Sequence, residues 1–166
     1  MKDDRAARAL AQWRRERPDL DCTPMLVFGR LPELAQRVAR DHLAPVFRDF
    51  GLQPGEFDVL ATLRRAGPPH ALTPTALYDA TMVTSGAMTG RLDRLEGAGL
   101  VRRDPDPADR RGTRVSLTQE GLALIDAAVA AHTANLHRLL AGLDEAERET
   151  LAGLLGKLLG SLPEGA

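Results

Sequence analysis

Cysteine and lysine are scarce in this chain, long apolar runs are missing, and each lack excludes something. The single cysteine, Cys22, rules out a disulfide scaffold and a thiolate zinc site. No stretch approaches the roughly 20 consecutive apolar residues a membrane span requires. The first residues, MKDDRAARALAQWRRER, contain no apolar signal-peptide core, so a cytoplasmic protein with no membrane partner is expected. There is no phosphate-binding P-loop, no dinucleotide glycine fingerprint and no nucleophile elbow. The histidines, His42, His70, His132 and His137, lack metal-ligand spacing, since residues 132 and 137 are five apart and do not share a helix face. Neither an enzyme nor a bound cofactor or metal is expected. A net charge of −1 also argues, at the level of the whole chain, against a nucleic-acid partner.

What is present has a particular character. With 166 residues, 43% of them hydrophobic and 27% charged, the chain can bury a core and is not disordered. Of 22 basic residues only Lys2 and Lys157 are lysine. The rest are arginines, whose planar fork suits carboxylates, phosphates and guanine edges. Their placement matters more than their number.

The chain divides into three regions: N-terminal helices over 1–50, a patterned middle over 51–117, and C-terminal helices over 118–166. Ala6, Ala9, Leu10 and Trp13 recur at helical spacing and predict a short first helix ended by Pro18. A second helix is expected from Thr23 to Phe50, with Leu26, Leu31, Leu34, Val38, His42, Val46 and Phe47 as its apolar stripe. Pro32 and Pro45 are its expected kinks. Pro54 opens a third helix with Phe57, Leu60, Ala61 and Leu63 facing the core.

The middle region carries the most specific pattern. Thr73-Pro74 is an N-cap followed by proline at the first helical position. After the turn Asp79–Val83, Thr84 or Ser85 caps a second helix over Gly86–Gly97 that buries Ala87, Met88, Leu92 and Leu95. Two short helices joined by a tight turn form a helix-turn-helix. Residues 100–103 and 113–117 then read as paired strands around DPDPADRRG, which reads as a long loop. The fold class follows: mainly α, a winged helix-turn-helix with a two-stranded wing, flanked by helices suited to dimerisation. In the tail, Leu122, Ile125, Val129, His132, Leu136, Leu139 and Leu143 form an apolar seam. Asp144 with Glu147 then starts a last helix, burying Leu151, Leu154, Leu155, Leu158 and Leu162. The tail is acidic at −4, so it should hold a second copy of the chain and not DNA.

Seven arginines lie between Arg91 and Arg114, giving that segment +2. A recognition helix starting at Thr84 presents Ser85, Thr89 and Arg94 to base edges and phosphates in the major groove of double-stranded DNA. Arg110 and Arg111 fall at the wing, where they reach the backbone or the minor groove.

The run from Val83 to Gly121 resembles the DNA-binding core of the MarR family of bacterial transcription regulators. It shares Leu95-Glu96, Gly99-Leu100-Val101, Asp109-Arg110-Arg111, Val115, Leu117-Thr118 and Gly121. The resemblance implies a homodimer that binds a palindromic operator with paired winged helices. The additional N-terminal helix with Trp13 is similar to that of the family's urate-responsive branch. Four functional residue types of that branch stand here as Trp13, Asp58, Arg91 and Arg103. By resemblance, Trp13 and Arg91 contact the ligand, while Asp58 and Arg103 pass its arrival to the recognition helix. The expected function is a repressor released by a small anionic effector: urate, another purine or trans-aconitate. A flat anion suits an aromatic face and a guanidinium fork. Two alternatives remain. Cys22 could act as a peroxide-sensing thiol, which requires accessibility, or the winged helix could bind protein and not DNA.

Overall fold

The computed structural model describes residues 4–81, 85–106 and 109–163, without the side chains of 85–87 and 109–111. Helix α1 (Arg5–Glu16) starts where the Asp4 carboxylate accepts from the Ala7 amide at 3.0 Å. It lies on α2 (Pro24–Arg37), burying Ala6, Leu10 and Cys22 apart from the main core.

The helix expected over Thr23–Phe50 is continuous but changes pitch. Between α2 and α3 (Ala44–Asp49) the chain runs as a π-helix over Val38–Leu43, with the Ala44 amide donating to the Ala39 carbonyl. Pro45 has no N–H with which to close an ordinary turn on Asp41, and the wider spacing immediately precedes it. Pro32 is carried within α2.

Helix α4 (Pro54–Arg65) is the spine of the molecule. It buries Phe57, Leu60 and Leu63 as expected, and also Glu56, Val59 and Thr62. Strand β1 (Ala71–Leu72) precedes α5 (Pro74–Ala80), which the Thr73 hydroxyl caps by accepting from Ala76 N at 3.1 Å. Helix α6 (Ser85–Gly97) buries Met88, Leu92 and Leu95. Thr84 and the side chains of Ser85 and Ala87, all named from the sequence, lie outside the described residues. Gly99 follows at φ 71°, a left-handed turn that glycine adopts without strain.

The wing differs from expectation. Strands β2 (Val101–Asp106) and β3 (Asp109–Leu117) pair through most of the segment expected to be loop, with Pro105 opposite Thr113 and Asp106 opposite Asp109. Proline is tolerated because β2 is an edge strand in the order β1-β3-β2, and the register shifts at Pro105/Asp106. β1 adds a third strand, with Ala71 opposite Ser116, that two residues of sequence did not announce.

Helix α7 (Gln119–Leu139) and helix α8 (Glu145–Ser161) complete the chain. The expected Asp144–Glu147 capping box is present, with both amides bonded at 2.8–2.9 Å. One core cluster joins Phe47, Phe57, Leu77, Leu92, Val101, Val115 and Ile125, so α3, α4, α5, α6, the sheet and α7 share it. The expectation that α8 buries its leucines is corrected for the single chain: Leu154 is 61% and Leu162 51% exposed. Leu34 of the α2 stripe is likewise 57% exposed. Among the described residues these side chains are left largely exposed within one copy.

Candidate functional site

Burying Met88, Leu92 and Leu95 turns one face of α6 inward and leaves Thr89 exposed. Arg91 and Arg94 reach back to the N-terminus of α4. The Arg91 guanidinium lies against Gly55, where an added Cβ would stand 2.5 Å from Cζ and 2.7 Å from Nη2. Its Nη1 is buried without a hydrogen-bond partner among the described residues. Arg94 donates from Nε to Glu56 Oε1 at 2.7 Å, while the Gln53 amide donates to Oε2 at 2.8 Å. Glu56 is buried, so this is a fixed tie between α4 and α6. The terminal nitrogens of Arg94 are not consumed by it, and its side chain is half exposed.

Asp58, one turn along α4 from Gly55, reaches solvent yet sits in crowded surroundings. Burial raises its carboxyl above the usual range, against the attraction of Arg91, Arg65 and His132. His132 projects from α7 against the stacked rings of Phe47 and Phe57, with ring centroids 5.4 and 5.1 Å away. Burial lowers its pKa, Asp58 opposes that shift, and Nδ1 has no hydrogen-bond partner among the described residues. The orphaned Arg91 nitrogen and this imidazole make the region one of unmet polar capacity, which buried groups ordinarily do not tolerate without a ligand or water.

Beside Asp58 is a cavity of about 200 Å³ lined by Phe57, Asp58, Ala61, Thr62, Arg65, Ala80 and Thr81. It opens between α4 and the end of α5.

Arg103 does something different from its neighbours. Its Nη2 donates to Asp93 and its Nη1 to Glu96, both at 2.7 Å, and its own amide donates to Glu96 at 3.1 Å. These carboxylates raise its pKa further. Arg103 thereby ties β2 to α6.

The structure brings Arg91 and Asp58 together and places Arg103 on the far side of α6, in contact with Asp93 and Glu96. It does not bring Trp13 to them. That side chain is 44% exposed and lines a separate groove with Gln12, Arg15 and Glu16. The side chains of Ser85, Arg110 and Arg111 lie outside the described residues; their backbones stand at the start of α6 and in β3. Cys22 is 4% exposed, which denies it the accessibility a peroxide sensor needs. Sequence reasoning missed Glu56, Arg65 and Gly55 as members of this region. Only Glu56 carried a signal, three residues after Gln53 at a helix start.

A helix-turn-helix followed at once by the β2–β3 wing, with an arginine-bearing second helix, defines a winged-helix DNA-binding protein. Residues 50–112 match the profile of the MarR family. Over 147 residues the chain is 46% identical to the HTH-type transcriptional regulator PecS of Dickeya dadantii, covering 89% of this chain and 88% of PecS. Against the multiple antibiotic resistance protein MarR of Escherichia coli it is 35% identical over 140 residues, covering 81% and 92%. A crystal structure of mutant E. coli MarR complexed with operator DNA superposes with TM-score 0.70 at 29% identity, covering 89% of this chain and 97% of that one. Bordetella bronchiseptica BpsR, whose DNA binding is regulated by 6-hydroxynicotinic acid, superposes with TM-score 0.63 at 30% identity, covering 78% and 98%. The chain belongs to the MarR family and is a transcriptional regulator that binds DNA.

Proposed function

We propose that this protein is a homodimeric repressor, released from a palindromic operator by a small anionic effector held where α4 meets α6. The observation that carries this reading is the buried, unpartnered Nη1 of Arg91 beside Asp58. A guanidinium in that state wants an acceptor, and an anion supplies the strongest one. Urate and trans-aconitate fit, because each is small, flat or nearly so, and negatively charged at neutral pH; another purine fits in its anionic form. Regulation of BpsR by a ring acid supports the same class of ligand. An anion arriving here also repels Asp58 and redistributes Arg91, which sits on α6 itself. Arg103 then conveys the displacement of α6 to the wing. The resemblance to the urate-responsive branch also names Trp13, but that side chain lines a separate groove and is left out of this site.

On the DNA side, Ser85, Thr89 and the terminal nitrogens of Arg94 face the major groove, and Arg110 and Arg111 reach the backbone or minor groove. The exposed leucines of α8 and the exposed stripe of α2 form the dimer interface. The test is a gel shift on the DNA flanking its own gene, with urate, xanthine, trans-aconitate and peroxide added in turn. A shift relieved by urate or trans-aconitate supports the reading. Relief by peroxide alone would transfer the sensing role to Cys22, and no shift on any DNA would leave a protein-interaction module.

A further inference from the structure

We propose that Arg65 is a positioning residue that latches the helix-turn-helix, and that an acidic effector in the adjoining cavity works by drawing this latch open. The inference rests on the effector reading above and deepens it.

Asp58, Thr62 and Arg65 follow one another along a single face of α4 at steps of four and three, and all three line the 200 Å³ cavity. Across it stand Ala80 and Thr81, the end of α5. Arg65 Nη2 donates to the Ala80 carbonyl at 2.6 Å. That carbonyl is one of those left over at a helix C-terminus, where partial negative charge favours a cation. The Thr81 amide and hydroxyl are already turned back onto Leu77 and Tyr78. With only seven residues, α5 is held by the Thr73 cap at one end and by Arg65 at the other. The chain leaves α5 at Thr81 and begins α6 at Ser85. Fixing Ala80 therefore holds the chain five residues ahead of the start of the recognition helix.

The latch is built to be competed away. Arg65 lies at the surface and bonds a neutral acceptor. A carboxylate or urate anion entering the cavity offers the guanidinium a charged, two-point acceptor, which outmatches a single carbonyl. Arg65 turns to the anion, Ala80 loses its partner, and the end of α5 is released. Asp58 lines the same cavity as Arg65, and the two attract through space. By linkage, operator binding, which favours the latched form, weakens effector binding by the same factor.

The test compares wild type, Arg65→Gln and Arg65→Lys as full-length protein. Operator Kd is measured with and without urate and trans-aconitate, and amide hydrogen exchange is followed over Tyr78–Thr81. In wild type the effector raises Kd by about tenfold, within the usual range for coupled sites. In Arg65→Gln the effector-free Kd rises severalfold, the further effect of effector falls below about twofold, and exchange over Tyr78–Thr81 accelerates. Arg65→Lys, which can still donate to Ala80, restores most of each. An effector response in Arg65→Gln equal to wild type, or unchanged exchange over Tyr78–Thr81, overturns the proposal. If no effector displaces wild type from DNA, the effector reading fails by itself. The exchange comparison then decides whether the latch exists.

Discussion

At Gly55 the lack of a side chain decides where Arg91 can lie. A methyl group there meets the guanidinium and not backbone, so Gly55→Ala should fold, at a cost below about 1 kcal/mol. It should nevertheless displace Arg91 and blunt the urate response, read as the ratio of operator Kd with and without urate. An unchanged ratio would detach Arg91 from effector sensing. Asp58 yields a pH prediction. Its folded pKa is raised, so its contribution to stability is complete below the ordinary carboxylate pKa and declines as pH rises through the folded value. Asp58→Asn removes that decline. The variant should melt with wild type in acid and above it near neutrality; a lower melting temperature at neutral pH would reverse the assignment. Arg91 and Asp58 were legible in the sequence through the family pattern. Arg65 was not, because its partner is a backbone carbonyl fifteen residues away and no side-chain spacing announces such a bond.

At the scale of elements, polar side chains repair what the backbone leaves open. The π-helix before Pro45 is fastened by Asn135 of α7, whose Nδ2 donates to the His42 carbonyl at 2.9 Å. Arg138 in turn donates to Asn135 Oδ1 at 2.6 Å. Asn135 is 4% exposed, so Asn135→Ala should cost about 1–3 kcal/mol, the penalty of stranding a buried partner. A thermal melt indistinguishable from wild type would mean the π-helix does not depend on this tie. Helix starts were legible because caps are local: Thr73, Asp144 and Thr118 each hold the amide three residues on. The wing strands were less so. DPDP reads as loop chemistry, yet an edge strand tolerates proline when its neighbour supplies the pairing, and Thr113, the partner of Pro105, is eight residues away in sequence. A far longer separation hides β1, whose two residues pair with strand partners over forty residues on.

For the whole molecule, the near-zero charge was the misleading number. It adds an acidic C-terminal tail to basic N-terminal and helix-wing segments, whereas DNA meets only a face. The apolar surface left on α2 and α8 gives a sharper prediction. Leu154→Asp with Leu159→Asp, at positions 61% and 71% exposed in one copy, should shift the protein from dimer to monomer in sedimentation. A dimer that persists would remove α8 from the interface. Replacing both Arg110 and Arg111 by alanine should weaken operator binding about equally across sequences and flatten its salt dependence. An unchanged slope would take the wing out of the contact. The seam of α7 shows why burial was only half legible: Ile125 is sealed in the core, while Leu136 of the same seam is left 36% exposed in one copy.

The central claim is that an anion at Arg91 controls operator binding, and fluorescence anisotropy on labelled DNA from beside the gene tests it most directly. Urate is titrated into complexes of wild type and Arg91→Ala, each at a protein concentration just above its own Kd. Wild type should leave the DNA as urate is added, and Arg91→Ala should stay bound through the same range. Equal release of both proteins, or retention of wild type at every urate and trans-aconitate concentration, would contradict it.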